Sequence, residues 1–311
     1  MLRTKLSLCA CISAALLPTA VAQTGGDPLL STERFSTVPG SGGAQIDSAD
    51  VNSDGNMDLV VTENAAGGFS VHLGDGEGGY TLFGSHRRLT FSQNAAIGDI
   101  NNDGDVDVVI REALNSNELT LFLGNGDGTF GAGIAENFGL TNILEIQIGD
   151  LDGDGNPELV AMTFLDADFS SQLNILPGLA GPGFFGPAET TALGVNTDTF
   201  VRFVDLNDDA APELVITAGF PVNGHLVLMN DGAGVLTQSE QGFLDAQTNL
   251  LLPVTVADAN GDGNTDLIFG GRIGGAGTVG VMEGNGAGEF GTVITSTVGR
   301  NAVESVVADD F

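Results

Sequence analysis

The chain has 311 residues, of which 47 are Gly and only 2 are Cys, and its formal net charge at pH 7 is −32. An excess of 41 Asp and Glu over 9 Lys and Arg repels nucleic acid and anionic membrane surfaces, so we expect neither as a partner. The high Gly content and the near absence of helical periodicity favour an all-β fold.

The first 22 residues have the organisation of a secretory signal peptide. Arg3 and Lys5 precede an apolar run over residues 6–17, and residues 20–22 form a small-residue cleavage site. The apolar run is shorter than the stretch of about 20 residues that spans a bilayer, which argues against a membrane anchor. We therefore expect cleavage near Ala22 and a secreted chain, extracellular, periplasmic or on the cell surface, without insertion into a membrane.

Both cysteines, Cys9 and Cys11, lie inside this peptide. The secreted chain would then contain no disulfide and would need another source of stabilisation. Further along, residues 30–40 (LSTERFSTVPG), with the aromatic Phe35, are typical of a fourth strand that lacks the rest of its blade.

An acidic motif starts at Asp50 and recurs at intervals of 49 to 55 residues. In the first copy, DVNSDGNMD, oxygen-bearing side chains stand at positions 1, 3, 5 and 9, glycine stands at position 6, and position 7 can offer a backbone carbonyl. Hard oxygen ligands in this alternation are typical of a calcium loop. The candidate ligands are Asp50, Asn52, Asp54, Asn56 and Asp58; Asp99, Asn101, Asp103, Asp105 and Asp107; Asp150, Asp152, Asp154, Asn156 and Glu158; Asp205, Asn207, Asp209 and Glu213; and Asp258, Asn260, Asp262, Asn264 and Asp266.

The residues that follow each motif indicate which kind of calcium loop this is. Position 12, which is a bidentate Glu in an EF-hand, is apolar in all five copies, as at Val61 and Ile110. These residues lie in short β-branched runs such as DLVV and DVVI, which are typical of strands. We therefore predict that each loop joins two β-strands, which argues against an EF-hand.

A second motif follows each loop and has the composition of a β-hairpin. It reads LFLGNGDGTFG over residues 121–131, a strand, a Gly-rich turn and an aromatic residue that opens the next strand. Each repeat then contains four strands, predicted in the second repeat at 95–100, 106–112, 118–124 and 129–138. Four short antiparallel strands in about 50 residues have the size of a β-propeller blade.

The loop DxNxDGxxDLVV together with the turn GxGDGxF resembles the FG-GAP/VCBS repeat, the blade unit of integrin alpha-like propellers. The resemblance covers about Thr32 to Phe311 and implies calcium held between the first two strands of each blade, about four to five ions in all. The fourth loop departs from the pattern, because Ala210 replaces the glycine and Pro212 precedes Glu213. Its ability to bind an ion is therefore left open.

The predicted organisation is a signal peptide at 1–22 and a repeat propeller at 23–311, with repeats starting near 45, 94, 144, 199, 252 and 302. We expect five full repeats plus partial ones at both ends, because a sixth motif begins at Asp310. The segment over residues 30–40 would complete the last blade of a closed ring. Because the sequence stops inside the sixth motif, either the chain is a fragment of a longer propeller or its final blade is broken, and we expect a fragment. The resemblance implies a propeller that commonly has seven blades.

The sequence favours a binding or structural role over catalysis. His72, His86 and His225 are isolated from one another, and the chain contains no paired metal histidines, no G-x-S-x-G elbow and no phosphate-binding glycine loop. We expect a monomeric calcium-binding interaction or adhesion module that is not an enzyme and that binds an extracellular protein or glycan. A lectin-like propeller and the propeller part of a larger secreted enzyme are the alternatives.

Overall fold

The computed structural model describes residues 43–63, 67–87, 92–112, 117–165, 170–180, 184–196, 199–218, 224–243, 248–249, 254–273 and 276–299. Within these ranges the chain consists of β-strands, turns and bends, with no helix, and so with no helix long and apolar enough to cross a bilayer. The expected signal peptide, the strand expected at 30–40 and the sixth motif at Asp310 lie outside the described residues.

The strands form five antiparallel sheets in chain order, here called blades 1 to 5. Blade 1 contains β1 (Gly43–Ala49), β2 (Asp58–Glu63), β3 (Gly68–Gly74) and β4 (Tyr80–Arg87). Blade 2 contains β5 (Ser92–Gly98), β6 (Asp107–Glu112), β7 (Leu119–Phe122) and β8 (Ile134–Glu136). Blade 3 contains β9 (Ile143–Gly149), β10 (Glu158–Phe164), β11 (Ser170–Leu176) and β12 (Glu189–Asn196).

Blades 4 and 5 continue the same design. Blade 4 contains β13 (Thr199–Val204), β14 (Glu213–Ala218), β15 (Gly224–Asn230) and β16 (Leu236–Phe243). Blade 5 contains β17 (Thr248–Asn249), β18 (Val254–Ala257), β19 (Asp266–Ile273), β20 (Ala276–Met282) and β21 (Ile294–Gly299). Its first strand is divided in two, since β17 and β18 both pair with β19. The predicted β-propeller of four-stranded blades is confirmed, with five blades in the described part of the chain.

The strand bounds predicted for blade 2 are wrong at the fourth strand. It was expected over 129–138 but covers only Ile134–Glu136. The preceding residues belong to the turn, where the Gly131 amide donates to the Leu123 carbonyl at 2.7 Å. At Gly133 a Cβ would come within 2.9 Å of the Phe122 ring, so close packing against β7 occupies the space that a strand residue would need.

Apolar side chains fill the space between successive blades. Between blades 1 and 2, Val60, Phe69 and Val71 pack against Val108 and Ile110, and all five are buried. Similar clusters join blade 2 to 3, blade 3 to 4 and blade 4 to 5. A fully buried Val or Phe side chain stabilises the fold by about 1.5–3 kcal/mol. Each blade is thus stabilised mainly by its neighbours, as expected for a repeat fold.

The first strands of neighbouring blades contact one another and place a hydrogen-bonded relay at the centre of the propeller. In each step a polar side chain on one first strand accepts a backbone N–H from the next. The three acceptor–donor pairs are Gln45 Oε1 with Ala95 N (3.1 Å), Asn94 Oδ1 with Ile146 N (2.7 Å) and Glu145 Oε2 with Val201 N (2.9 Å). No motif in the sequence indicates this relay, although all three acceptors stand five positions before a loop aspartate.

The loop between the first two strands and the turn between the last two lie at the same end of each blade, because four antiparallel strands reverse direction at each connection. In blade 1 these segments are Asp50–Met57 and Asp75–Gly79. The acidic loops and the Gly-rich turns of all blades therefore share one face of the propeller.

Candidate metal sites in the acidic loops

The aspartate at position 1 closes each loop by accepting backbone amides. In loop 1, Asp50 Oδ1 accepts the Asp54 N–H at 3.1 Å and Oδ2 accepts the Gly55 N–H at 2.8 Å. The same two bonds recur in loops 2, 4 and 5, and in loop 3 Asp150 accepts the amides of Gly153 and Gly155. Asp side chains commonly stabilise tight turns in this way. The first carboxylate thus fixes the loop and points into it.

Two residues of each loop adopt the left-handed backbone region. Position 6 has φ values of +86° at Gly55 and +90° at Gly104, and Ala210 takes the same region at +71°. Position 4 is also left-handed, with φ +58° at Ser53 and +59° at Asp208. The recurring glycine predicts a left-handed residue at position 6. Position 4 shows no such signal in the sequence, because it is occupied by Ser, Asn, Asp or Gly in different loops. A non-glycine residue in this region costs about 1–2 kcal/mol.

Positions 3 and 5 form a connected pair at the rim of the loop. In loop 1, Asn52 Nδ2 donates to Asp54 Oδ2 at 2.9 Å, and Asp54 Oδ1 accepts the Asn56 N–H at 2.8 Å. The hydrogen bond from Asn52 is the main cause that lowers the pKa of Asp54, so this side chain is a carboxylate at neutral pH. Loops 2, 4 and 5 repeat the pair.

Loop 3 carries Asp152 where the other loops carry Asn. One carboxylate oxygen from each of Asp150, Asp152 and Glu158 lies within 4.8 Å of the other two. Three carboxylates at that separation repel one another unless a cation or protons offset the charge. Among the described residues, this is the one group of three carboxylates found at that separation.

The acid at position 9 begins the second strand and is buried beneath the loop. Asp107 is fully buried, and its carboxylate accepts the Ile100 N–H at 3.0 Å and the Gly124 N–H at 2.8 Å. Burial, and next the proximity of Asp103 and Asp99 as like charges, raise its pKa to about 6 against the two hydrogen bonds. Asp58, Glu158 and Asp266 make the same pair of contacts.

A glycine at the end of the third strand, or two residues after it, completes this arrangement in four blades. At Gly74 and Gly124 a Cβ would lie 2.2 and 2.3 Å from the carbonyl oxygen of the residue before the position 9 acid. Glycine is therefore required by close approach of the strand to the loop. The sequence motif indicates only a hairpin turn at these glycines and does not reveal their contact with the loop.

Loop 4 keeps the loop geometry but differs at the buried acid. Glu213 Oε2 accepts the Leu206 N–H at 2.7 Å, whereas Oε1 has no hydrogen-bond partner among the described residues. The residue that ends the third strand here is Asn230 instead of glycine. Burial, and next Asp209 and Asp205, raise the pKa of Glu213. Loop 4 therefore presents a buried carboxylate oxygen that is available to a cation.

The side chains at position 7 lie against the turn of their own blade. The Oδ1 atoms of Asn56 and Asp105 would be 2.4 and 2.3 Å from a Cβ at Gly76 and Gly126. In loop 3, Asn156 instead donates to Asp154 Oδ1 at 2.8 Å and accepts from another loop. The backbone carbonyl, as the sequence motif predicts, is the group that position 7 would offer to an ion.

The three histidines lie among packed side chains, away from the acidic loops. The His86 ring stacks on Phe69 with centroids 4.8 Å apart, and burial lowers its pKa. His72 is buried and contacts the Ser70 hydroxyl at 3.2 Å, and His225 is buried with its ring edge toward Phe290. None of the three is placed beside a candidate ion ligand by these contacts.

Comparison with known families agrees with the repeat design. The family model for the FG-GAP-like repeat matches residues 50–110 and 99–161, each match running from one acidic loop to the second strand of the following blade. No curated protein matches the sequence. Blades 4 and 5 lie outside the matched residues and repeat the same loop and turn hydrogen bonds. Residues 50–161 thus match the FG-GAP-like repeat, and they form part of a β-propeller with five blades in the described residues.

Proposed function

We propose that this chain is a secreted, calcium-stabilised interaction module without catalytic activity, in which each acidic loop binds one calcium ion. The observation that supports it best is the repetition of hard oxygen donors at positions 1, 3, 5 and 9 in five loops on one face, with the position 9 acid buried beneath each loop. Carboxylate, amide and carbonyl oxygens are the ligands that calcium prefers in proteins. The donor set contains no sulfur or imidazole, which argues against zinc or copper.

The residues in loops 3 and 4 fit a cation particularly well. Loop 3 brings together Asp150, Asp152 and Glu158, whose mutual repulsion a divalent ion would offset. Loop 4 holds Glu213 Oε1 buried without a hydrogen-bond partner among the described residues, and burying such an atom is costly. We therefore include loop 4 among the proposed sites, despite Ala210 and Pro212.

Different positions of each loop would have different roles in binding an ion. Position 1 closes the loop through backbone amides, position 5 stays ionised at the rim, and position 9 is held rigid beneath the loop by two amides. When bound, calcium would supply positive charge that cancels carboxylate repulsion and fixes the connection between the first two strands. The ions would thus stabilise the shape of the loop face.

The loop face is the part of the molecule we propose for binding an extracellular protein or glycan. FG-GAP-like repeats are typical of extracellular proteins, and the formal charge of −32 suits a partner with a basic surface more than an acidic one. Binding of the chain to an immobilised glycan array and to candidate cell-surface proteins, in calcium and in chelator, tests this role. Binding that is equal in both conditions would contradict a calcium-shaped interaction face.

A metal count tests the proposed ion sites directly. After equilibrium dialysis against calcium, mass spectrometry of the native chain should find about four to five ions, and Asp154→Asn should bind one fewer. The matched control is Asp127→Asn, which removes an exposed carboxylate from a Gly-rich turn outside the loops. A native chain without bound calcium, or an Asp154→Asn count equal to the native one, would overturn the proposal.

A further inference from the structure

Asn230 connects two neighbouring acidic loops through one buried side-chain amide. Its Nδ2 donates to the Leu151 carbonyl in loop 3 at 2.7 Å and to the Pro212 carbonyl in loop 4 at 3.2 Å. Its Oδ1 accepts the Gly232 N–H of the blade 4 turn at 3.2 Å. The side chain is almost completely buried, so these contacts replace water.

The two carbonyls that Asn230 holds belong to residues next to the candidate ion ligands. Leu151 follows Asp150, and its own N–H donates to Glu158 Oε2 at 2.6 Å. Pro212 directly precedes Glu213, the buried acid of loop 4. A shift of either loop on ion binding would therefore act on the same amide.

The surrounding turn strengthens this connection. A Cβ at Gly234 would lie 3.1 Å from Asp152 Cβ, so the turn of blade 4 packs directly against position 3 of loop 3. Blade 2 makes a related contact with loop 1, where the Gly128 N–H donates to the Val51 carbonyl at 3.0 Å. The donor in blade 2 is a backbone amide of the turn. Blade 2 has Gly124 where blade 4 has Asn230, so it has no side chain at this position that could join two loops.

We propose that Asn230 couples loops 3 and 4, so that calcium bound in one loop raises the calcium affinity of the other. This inference rests on the proposed calcium sites. An ion in loop 3 would order Leu151, and the amide of Asn230 would then already be positioned to hold Pro212 and the start of loop 4. The second ion would bind a loop that has lost part of its conformational freedom, which is a source of positive cooperativity.

A mutant cycle measured by hydrogen exchange tests the coupling. Calcium titrations would be followed by exchange into peptides that cover loop 4, residues 205–213, in the native chain and in Asp154→Asn, Asn230→Gly and the double variant. Asp154→Asn weakens loop 3 alone, and Asn230→Gly introduces the residue that blades 1, 2, 3 and 5 use at this position. We expect Asp154→Asn to raise the calcium midpoint of loop 4 about fivefold with Asn230 present and less than about twofold without it.

Two further variants make the result specific. Asp54→Asn weakens loop 1, which has no contact with Asn230, and should leave the midpoint of loop 4 unchanged. Asn230→Ala repeats the cycle with a different truncation, after circular dichroism has shown native β-structure. An equal effect of Asp154→Asn with and without Asn230 would overturn the coupling while leaving calcium binding intact. Loops whose exchange does not respond to calcium would instead overturn the proposed ion sites.

Discussion

Blades 2 and 4 have the same strand order but differ at the loop face and in the first strand. At the loop face, blade 2 has Gly104 and Gly124 where blade 4 has Ala210 and Asn230. In both loops the first aspartate nevertheless accepts the amide of the sixth residue, at 2.8 Å in blade 2 and 3.0 Å in blade 4. The loop shape therefore depends on the hydrogen bonds that the position 1 aspartate accepts. A glycine at position 6 mainly lowers the free-energy cost of the left-handed backbone there.

The same two blades also differ at the buried acid and at the centre. Asp107 accepts two amides, whereas Glu213 accepts one and leaves Oε1 without a partner among the described residues. Asn94 continues the central relay, whereas blade 4 has Phe200 at that position. Blade 4 thus keeps the fold with fewer polar contacts, which predicts different responses to equivalent substitutions.

Removing the buried acid should have the largest effect, and a larger one in blade 2 than in blade 4. We expect Asp107→Ala to lower the free energy of unfolding by about 3 kcal/mol, because it leaves two buried amides unsatisfied. Glu213→Ala should cost about 1 kcal/mol, since one amide is affected and a repelling carboxylate disappears. Chemical denaturation in chelator measures both. Equal losses would mean that the number of amide partners does not set the role of this acid.

The pH dependence of stability tests the central relay, where Asp47 accepts a hydrogen bond from Gln45 at 3.0 Å. Burial raises the pKa of Asp47 to about 6, against that hydrogen bond and the charge of Arg202. The folded state then binds this proton more tightly than the unfolded state, so stability falls as pH rises from about 4 to 6.

Asp47→Asn should remove about 2 kcal/mol of that fall. Denaturation of the native chain and the variant at several pH values in chelator gives the comparison, with Asp127→Asn as the exposed control. If the two curves remained parallel between pH 4 and 6, Asp47 would not titrate with a raised pKa.

The smallest effects concern the left-handed residue of the loop. Ala210→Gly should stabilise blade 4 by about 1 kcal/mol, because glycine adopts a positive φ without steric cost. Gly104→Ala should destabilise blade 2 by a similar amount. A Cβ at Gly104 would meet no other atom within 4 Å, so the loss would come from backbone strain and not from a steric clash. Thermal unfolding of the two variants with opposite shifts would support this account, whereas shifts of the same sign would contradict it.

The sequence predicted the features that depend on local spacing. Position 1 acids, position 6 glycines and the β-branched runs after each loop are short-range signals, and they were sufficient to predict four-stranded blades. The contacts of Gly124 with the loop and of Asn230 with two loops join residues 17 or more positions apart, so no local pattern reveals them. The fourth strand of blade 2 was overestimated, because the close packing of Gly133 against Phe122 is a tertiary contact that the strand pattern does not show.

Thermal unfolding of the chain in calcium and in chelator tests the central claim most directly. With free calcium at about 100 times the dissociation constant, each site would contribute about 2.7 kcal/mol. Four such sites would rival a typical net stability of about 5–15 kcal/mol, so we predict a much lower midpoint, or loss of cooperative unfolding, in chelator. The same midpoint in both conditions would show that the acidic loops are turns closed by their own hydrogen bonds and that calcium does not stabilise the propeller.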